Sequence, residues 1–181
     1  MKLTAQEAFL FFKLMIPLQF YVQQKVGVLE NVETFEDYKN TSFARKFEVR
    51  NALYENAHLI DEFIDENPHD IPLKELAVCA SWKRFIKEDF YVERHLKTST
   101  IFIGEDDKVY SVVGITDSLE KVFPKYLIPQ IVSVVLLPFQ NKIVSDGFFS
   151  ASQIYIGSDV KSGLKEIYSL AKKKNQILTE F

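Results

Sequence analysis

The sequence is short of nearly every residue type that chemistry uses in groups. It holds one cysteine, Cys79, so no internal disulfide can staple the chain and the fold does not depend on an oxidising compartment. Its three histidines, His58, His69 and His95, are not at metal-ligand spacing, and a zinc site would have to gather carboxylates from distant positions. No metal and no cofactor is expected. The six glycines stand singly at element ends and turns, which excludes the Walker and dinucleotide types of phosphate loop. No run approaches the ~20 apolar residues of a membrane span. The apolar N-terminus is broken by Glu7 and Lys13 and lacks a small-residue cleavage site, so it does not read as a signal peptide. A net charge of -3 excludes a surface basic as a whole, as an indiscriminate binder of nucleic acid or anionic membrane would need. Without a Pro/Gly/Ser linker, repeat or low-complexity tract, the chain reads as one cytoplasmic domain over 1–181 with no membrane partner.

What is present is apolar and aromatic. Hydrophobic residues make up 47% of the 181, with sixteen phenylalanines and eight tyrosines, so aromatic burial should dominate the core. Thr4 and Glu7 form a capping-box pattern ahead of a helix over about 5–25, apolar on most faces at its start, which Pro17 should kink or break. An acidic connector over 27–41 precedes an amphipathic helix over about 42–67, stopped by Pro68, and Pro72 opens a third over 73–86. From Asp89 the period changes to two. Strands are predicted over 90–95, 98–104, 108–114, 131–139, 142–145 and 153–156, with a short helical turn after Asp117 or Ser118 and a last helix over 159–174. The run Val134 to Leu137 suits a strand covered on both sides. Pro138 should end its pairing, Gln140-Asn141 should turn, and Asp146-Gly147 reads as a second turn.

This order predicts an α+β fold: an N-terminal three-helix segment, an antiparallel meander of five to six strands forming a curved sheet or a small SH3-like barrel, and a C-terminal helix. The helical lobe covers about 1–88 and the β-rich lobe about 89–181.

The segments FFKLMIPLQFYVQQK, RNALYENAHLIDEFIDENP, SWKRFIKEDFYVERHLKTSTIF, VYSVVGITDSLE, VVLLPFQNKIVSDGFF and GLKEIYSLAKKKNQILT, in this order, resemble a family of bacterial proteins common in cyanobacteria. Its members share an LLPF-x-x-x-I-x-x-DG core and a closing helix followed by a short extended tail. The family has no assigned activity, so the resemblance implies a shared fold and a bacterial cytoplasmic setting and transfers no catalytic residue. Gln140-Asn141 departs from the basic residue and glycine more often found there.

Each reactive candidate has a plainer explanation. Cys79 with His95 as its base would make a nucleophile, but Leu76, Val78 and Ala80 around the cysteine mark a small core residue. His69-Asp70 lies in a loop between prolines, while Asp117 and Asp146 each have a local role in a cap or a turn. No catalytic residue is assigned. Two binding surfaces remain. Lys83, Arg84, Lys87, Arg94 and Lys97, interleaved with Trp82, Phe85, Phe90 and Tyr91, have the make-up of a nucleic-acid face, diluted by Glu88, Asp89 and Glu93. Phe148 and Phe149, with the apolar start of the first helix, suggest a patch for another protein, or for a second copy of this one. The leading expectation is a non-catalytic adaptor, regulator or accessory subunit. Nucleic-acid binding comes second and an enzyme of unknown reaction third.

Overall fold

A computed structural model describes residues 1–152 and 154–181. It divides the chain into two compact units, one of Phe9–Lys83 and one that joins Met1–Ala8 to Arg84–Phe181.

The helical unit is built on α1 (Ala5–Val26), whose capping box forms as the sequence predicts: Glu7 N–H donates to the Thr4 hydroxyl and Thr4 N–H to the Glu7 carboxylate. The helix runs on through Pro17 without a break in its assignment. Phe11, Leu14, Met15, Leu18 and Val22 recur at three and four residues and are all buried. Against this stripe the unit collects aromatic pairs, Phe11 with Trp82 at 5.4 Å and Tyr21 with Phe63 at 5.5 Å. Its buried amides are satisfied, since the Tyr38 hydroxyl donates to Gln19 and the Gln23 side chain bonds both backbone groups of Leu29.

The segment expected as a connector contains α2 (Phe35–Asn40), held by a second capping box between Thr34 and Asp37. The long helix expected over 42–67 is two, α3 (Phe43–Glu55) and α4 (Leu59–Glu66). At the break the Asn56 side chain bonds the Ala52 carbonyl, the same acceptor that its own backbone N–H uses. The third expected helix is shorter, α5 (Leu73–Ser81), followed by a single 3-10 turn over Trp82–Arg84.

The other unit contains β1 (Ile86–His95), β2 (Thr100–Ile103), β3 (Val109–Val113), the short α6 (Leu119–Val122), β4 (Gln130–Phe139), β5 (Lys142–Ala151), α7 (Ser158–Lys173) and β6 (Ile177–Leu178). The class is therefore α+β, but the sheet is mixed and not an antiparallel meander. β1 pairs with β2 and β4, β2 with β3, β4 with β5, and β3 runs parallel to β5, which closes a ring of five strands in the order β1-β2-β3-β5-β4. The connection through α6 carries the chain across the end of the ring and so makes the parallel contact possible. This is the Greek-key connectivity of an OB barrel, in place of the SH3-like closure. β6 adds a short parallel pairing to the first half of β3.

All five ring strands send side chains inward. Phe90, Val92, Phe102, Tyr110, Val112, Val132, Val134, Leu136 and Ile143 form one cluster, closed by Leu119 and Phe123 from α6 and its C-cap. Val135 and Leu137 point to the other side of β4 and are also fully buried, so the continuous apolar run reflects burial on both faces. Pro138 does not end β4; it pairs with Ile143 beyond the last β1 partner, Leu136, where no ladder on that side calls for its missing N–H.

Asp146-Gly147 is not a turn between strands. It forms a bulge within β5, where the pairing skips from Leu136↔Ser145 to Val134↔Phe149, Gly147 takes φ 90°, and Asp146 accepts the Phe148 N–H. The strand expected over 153–156 includes Gln153, outside the described residues; Ile154 to Ile156 have no regular structure.

Candidate functional site

A second bulge decides what the basic segment can do. Along β1, Phe90 and Val92 enter the barrel, and strict alternation would send Arg94 in after them. The register slips between Val92 and Arg94, so Arg94 comes opposite Ile101 on the outer face and His95 opposite Thr100. On that outer face Ile101, Ile103 and Val109 are covered by Leu164, Tyr168 and Ala171 of α7. Arg94 is held there on two sides. Its guanidinium bonds both carboxylate oxygens of the buried Glu93 and lies 4.0 Å from the centre of the Tyr168 ring.

The remaining members of the expected nucleic-acid face do not lie on one element. Lys83 belongs to the helical unit, where its ammonium sits 2.6 Å from Asp61; Arg84, Lys87 and Lys97 are exposed on the barrel unit. Three of the four aromatics that would stack bases are committed to cores: Trp82 and Phe90 are buried, and Tyr91 packs against the cluster under α7, while Phe85 is half-buried. Asp89 on the exposed side of β1 bonds Ser133. The structure thus removes Arg94 and the rings of Trp82, Phe90 and Tyr91 from this surface. Three exposed cations remain, with no stacking platform among those rings.

Phe148 and Phe149 are likewise not an exposed patch. Phe148 is 8% exposed, and Phe149 packs on the barrel core with its ring edge-on to Phe123 at 5.0 Å. The bulge at Gly147 sets three residues of β5 against one of β4, so Phe149 keeps the inward face of Ile143.

Exposed aromatic surface lies elsewhere. At the start of α1, Phe9 is 71% and Phe12 37% exposed; Phe9 faces away from the buried stripe, and Phe12 flanks it with its ring edge-on to Phe11 at 5.5 Å. Lys13 beside them is tied to Glu75 at 2.6 Å. The all-round apolar start of this helix was visible in the sequence; the missing step was that its core consumes only one stripe.

The reactive candidates are occupied. Cys79 is fully buried, and burial pushes its thiol up to about 12, far from thiolate chemistry at neutral pH. The His95 Nε2 lies 2.7 Å from the Phe123 carbonyl, which can only accept, so this nitrogen carries a hydrogen; Nδ1 meets the Thr100 hydroxyl at 2.8 Å. Both ring nitrogens therefore tie the end of β1 to β2 and α6. The His69 ring packs tilted against Phe35 at 5.5 Å, and Asp117 pairs with Lys121 at 3.2 Å.

Glu88 was not singled out in the sequence as a site residue. It sits partly buried with one oxygen fully buried and unpaired; burial first, then Asp106, hold its carboxyl above the usual carboxylate range. A cleft of about 640 Å³ opens nearby between α7, β6 and the β2–β3 turn, with Val109, Leu170 and Leu178 in its lining and Asp106, Lys108 and Lys174 among its polar groups. Among the described residues, no group of three or more His, Cys, Asp or Glu is placed to hold a metal ion.

No protein-family model matches the chain, and neither a curated protein nor a solved structure matches it. Function has to be read from the residues themselves.

Proposed function

We propose that the protein is a non-catalytic interaction module, an adaptor or accessory subunit that engages another protein through the start of α1. The observation that carries this reading is the pair Phe9 and Phe12, the first left largely in solvent and the second partly so, on a helix that buries another stripe. Exposed aromatics grouped on a rigid helix face are what protein interfaces use as anchors, and few other arrangements repay leaving them in water. The condition of Cys79 and His95 supports the same reading, because one lacks a thiolate and the other has both nitrogens engaged.

OB connectivity lends the nucleic-acid alternative some support, since barrels of this kind bind oligonucleotides across strands 2 and 3. That face here is aliphatic and lies under α7, which weighs against it.

The deciding experiment is affinity purification from the source organism with and without nuclease, using wild type and Phe9→Ser/Phe12→Ser. A protein partner that survives nuclease and is lost in the variant is the expected result. Retention of every partner by a folded variant, or loss of all of them on nuclease treatment, would remove the reading.

A further inference from the structure

Most of the barrel unit's exposed large apolar residues gather at one end, whereas Leu170 of α7 lies in the cleft beside the β2–β3 turn. His95 pairs with Thr100, Val92 with Gln130 and Val132 with Ala151, so the β1–β2 loop, the α6 connection and the chain leaving β5 all emerge at the same rim. The bond from His95 to the Phe123 carbonyl and that from Ser152 N–H to the Ile131 carbonyl fasten these connections together. Leu96, Val122, Tyr126, Leu127, Ile154 and Tyr155 stand on them, with Tyr126 84% and Tyr155 85% exposed. At the opposite end, among the described residues, the β2–β3 turn and the β4–β5 hairpin carry no exposed large apolar residue, and Leu170 of α7 stands beside the first of these turns.

The charge at this rim also departs from that of the chain. Lys2, Lys97, Lys121, Lys125 and Lys161 lie on the same connections or beside them, against three carboxylates, Asp117, Glu120 and Asp159, on a chain whose net charge is -3. The pairs Lys121–Asp117 and Lys125–Glu120 are solvent-exposed, at 3.2 and 3.1 Å, and exposed pairs of this kind exchange partners at little cost.

From this placement we infer that the rim is a docking surface for an anionic lipid bilayer. Aliphatic side chains on loop tips can enter the headgroup boundary, tyrosine is suited to the interface itself, and lysines beside them are drawn to acidic headgroups. The lysines decide between a bilayer and a protein. Protein interfaces are depleted of lysine, whereas at a bilayer its long stem lies along apolar surface while the ammonium stays among the headgroups. The surface lies on the barrel unit and shares no residue with the Phe9/Phe12 pair, which belongs to the helical unit, so either assignment can fail alone.

The test is co-sedimentation of the full chain with vesicles of phosphatidylcholine alone and with phosphatidylserine added, at low and moderate salt. Wild type, Tyr126→Ser/Leu127→Ser, Lys121→Gln/Lys125→Gln and a control at the far end of β1, Lys87→Gln, are compared, with thermal melts to verify folding. Binding to the anionic vesicles should exceed that to neutral ones by about tenfold or more, and each double variant should lose about tenfold while Lys87→Gln does not. Three outcomes would overturn the proposal: no sedimentation with anionic vesicles at low salt, equal binding to both vesicle types, or binding that Lys87→Gln reduces as much as Lys121→Gln/Lys125→Gln. Soluble polyglutamate held as tightly as the vesicles, with no effect of Tyr126→Ser/Leu127→Ser, would mean unspecific charge attraction and would also overturn it.

Discussion

Leu136→Ala is the sharpest probe of the closed barrel. The side chain is fully buried in the interior cluster, and its strand is paired on both sides, to Ile86 of β1 and to Ser145 of β5. Truncation removes the equivalent of three methylene groups, a transfer loss of roughly 2.4 kcal/mol at about 0.8 kcal/mol each. A cavity adds to this according to how far the surroundings can collapse. Here the walls are strands locked in a hydrogen-bonded ring, so collapse should be poor and the total about 3 to 5 kcal/mol, the upper part of the range for such changes. Urea unfolding followed by circular dichroism measures it, with Trp82 emission reporting on the helical unit. Leu137→Ala, on the other buried face of β4, should cost at least ~2 kcal/mol. If Leu136→Ala lies within about 0.5 kcal/mol of wild type, the interior is not packed as described and the reasoning fails.

Gly114→Ala should be strongly destabilising, because a Cβ there would lie 2.0 Å from the backbone carbonyl oxygen of Asp117; overpacking usually costs ~1 to 3 kcal/mol, and a melt that is unchanged would exclude this turn geometry. Cys79 should resist a thiol reagent in the native protein at neutral pH and react once denaturant is added; rapid native labelling would contradict its burial and its raised thiol value. For Glu88 the folded carboxyl titrates above the unfolded one, so its contribution to stability is fully present below the ordinary carboxylate value and is lost as pH rises through the raised one. Glu88→Gln should therefore gain on wild type as the pH rises; a difference in melting temperature that stays constant from acid to neutral pH would count against the placement.

The parts of the fold that were legible in the sequence are those fixed by local chemistry. Thr4 and Glu7 announce a helix start because both partners of the capping box lie within one turn, and the Gln140-Asn141 turn between β4 and β5 is equally local, with Gln140 at φ 55°. Thr34-Phe35-Glu36-Asp37 carries a comparable signal for α2 and could have been read the same way. Ring closure could not, because a parallel contact between β3 and β5 depends on a tertiary path through α6 that no local pattern encodes. The two bulges differ in what they do to the pattern. That in β1 is a single slip, which breaks the two-residue period and sends Arg94 to the helix-covered side; that in β5 sets three residues against one, so Phe149 keeps the inward face of Ile143 and joins the barrel core.

The outer face of β2 and β3 bears on why an OB connectivity need not bring OB function with it. Binding single-stranded nucleic acid there calls for aromatic or planar groups on which bases can stack, and for cations free to meet phosphates. This chain places Ile101, Ile103 and Val109 at those positions, and gives its nearest guanidinium, that of Arg94, a carboxylate partner and a tyrosine to stack on. Each of these choices suits an amphipathic helix and none suits a base. The face is thus specialised for α7, and most of the barrel unit's remaining exposed large apolar residues stand on the connections at the rim that carries Tyr126 and Tyr155. Fold and function separate here at the level of individual side chains, as expected where the barrel acts as a scaffold and the contacts at its surface set the partner.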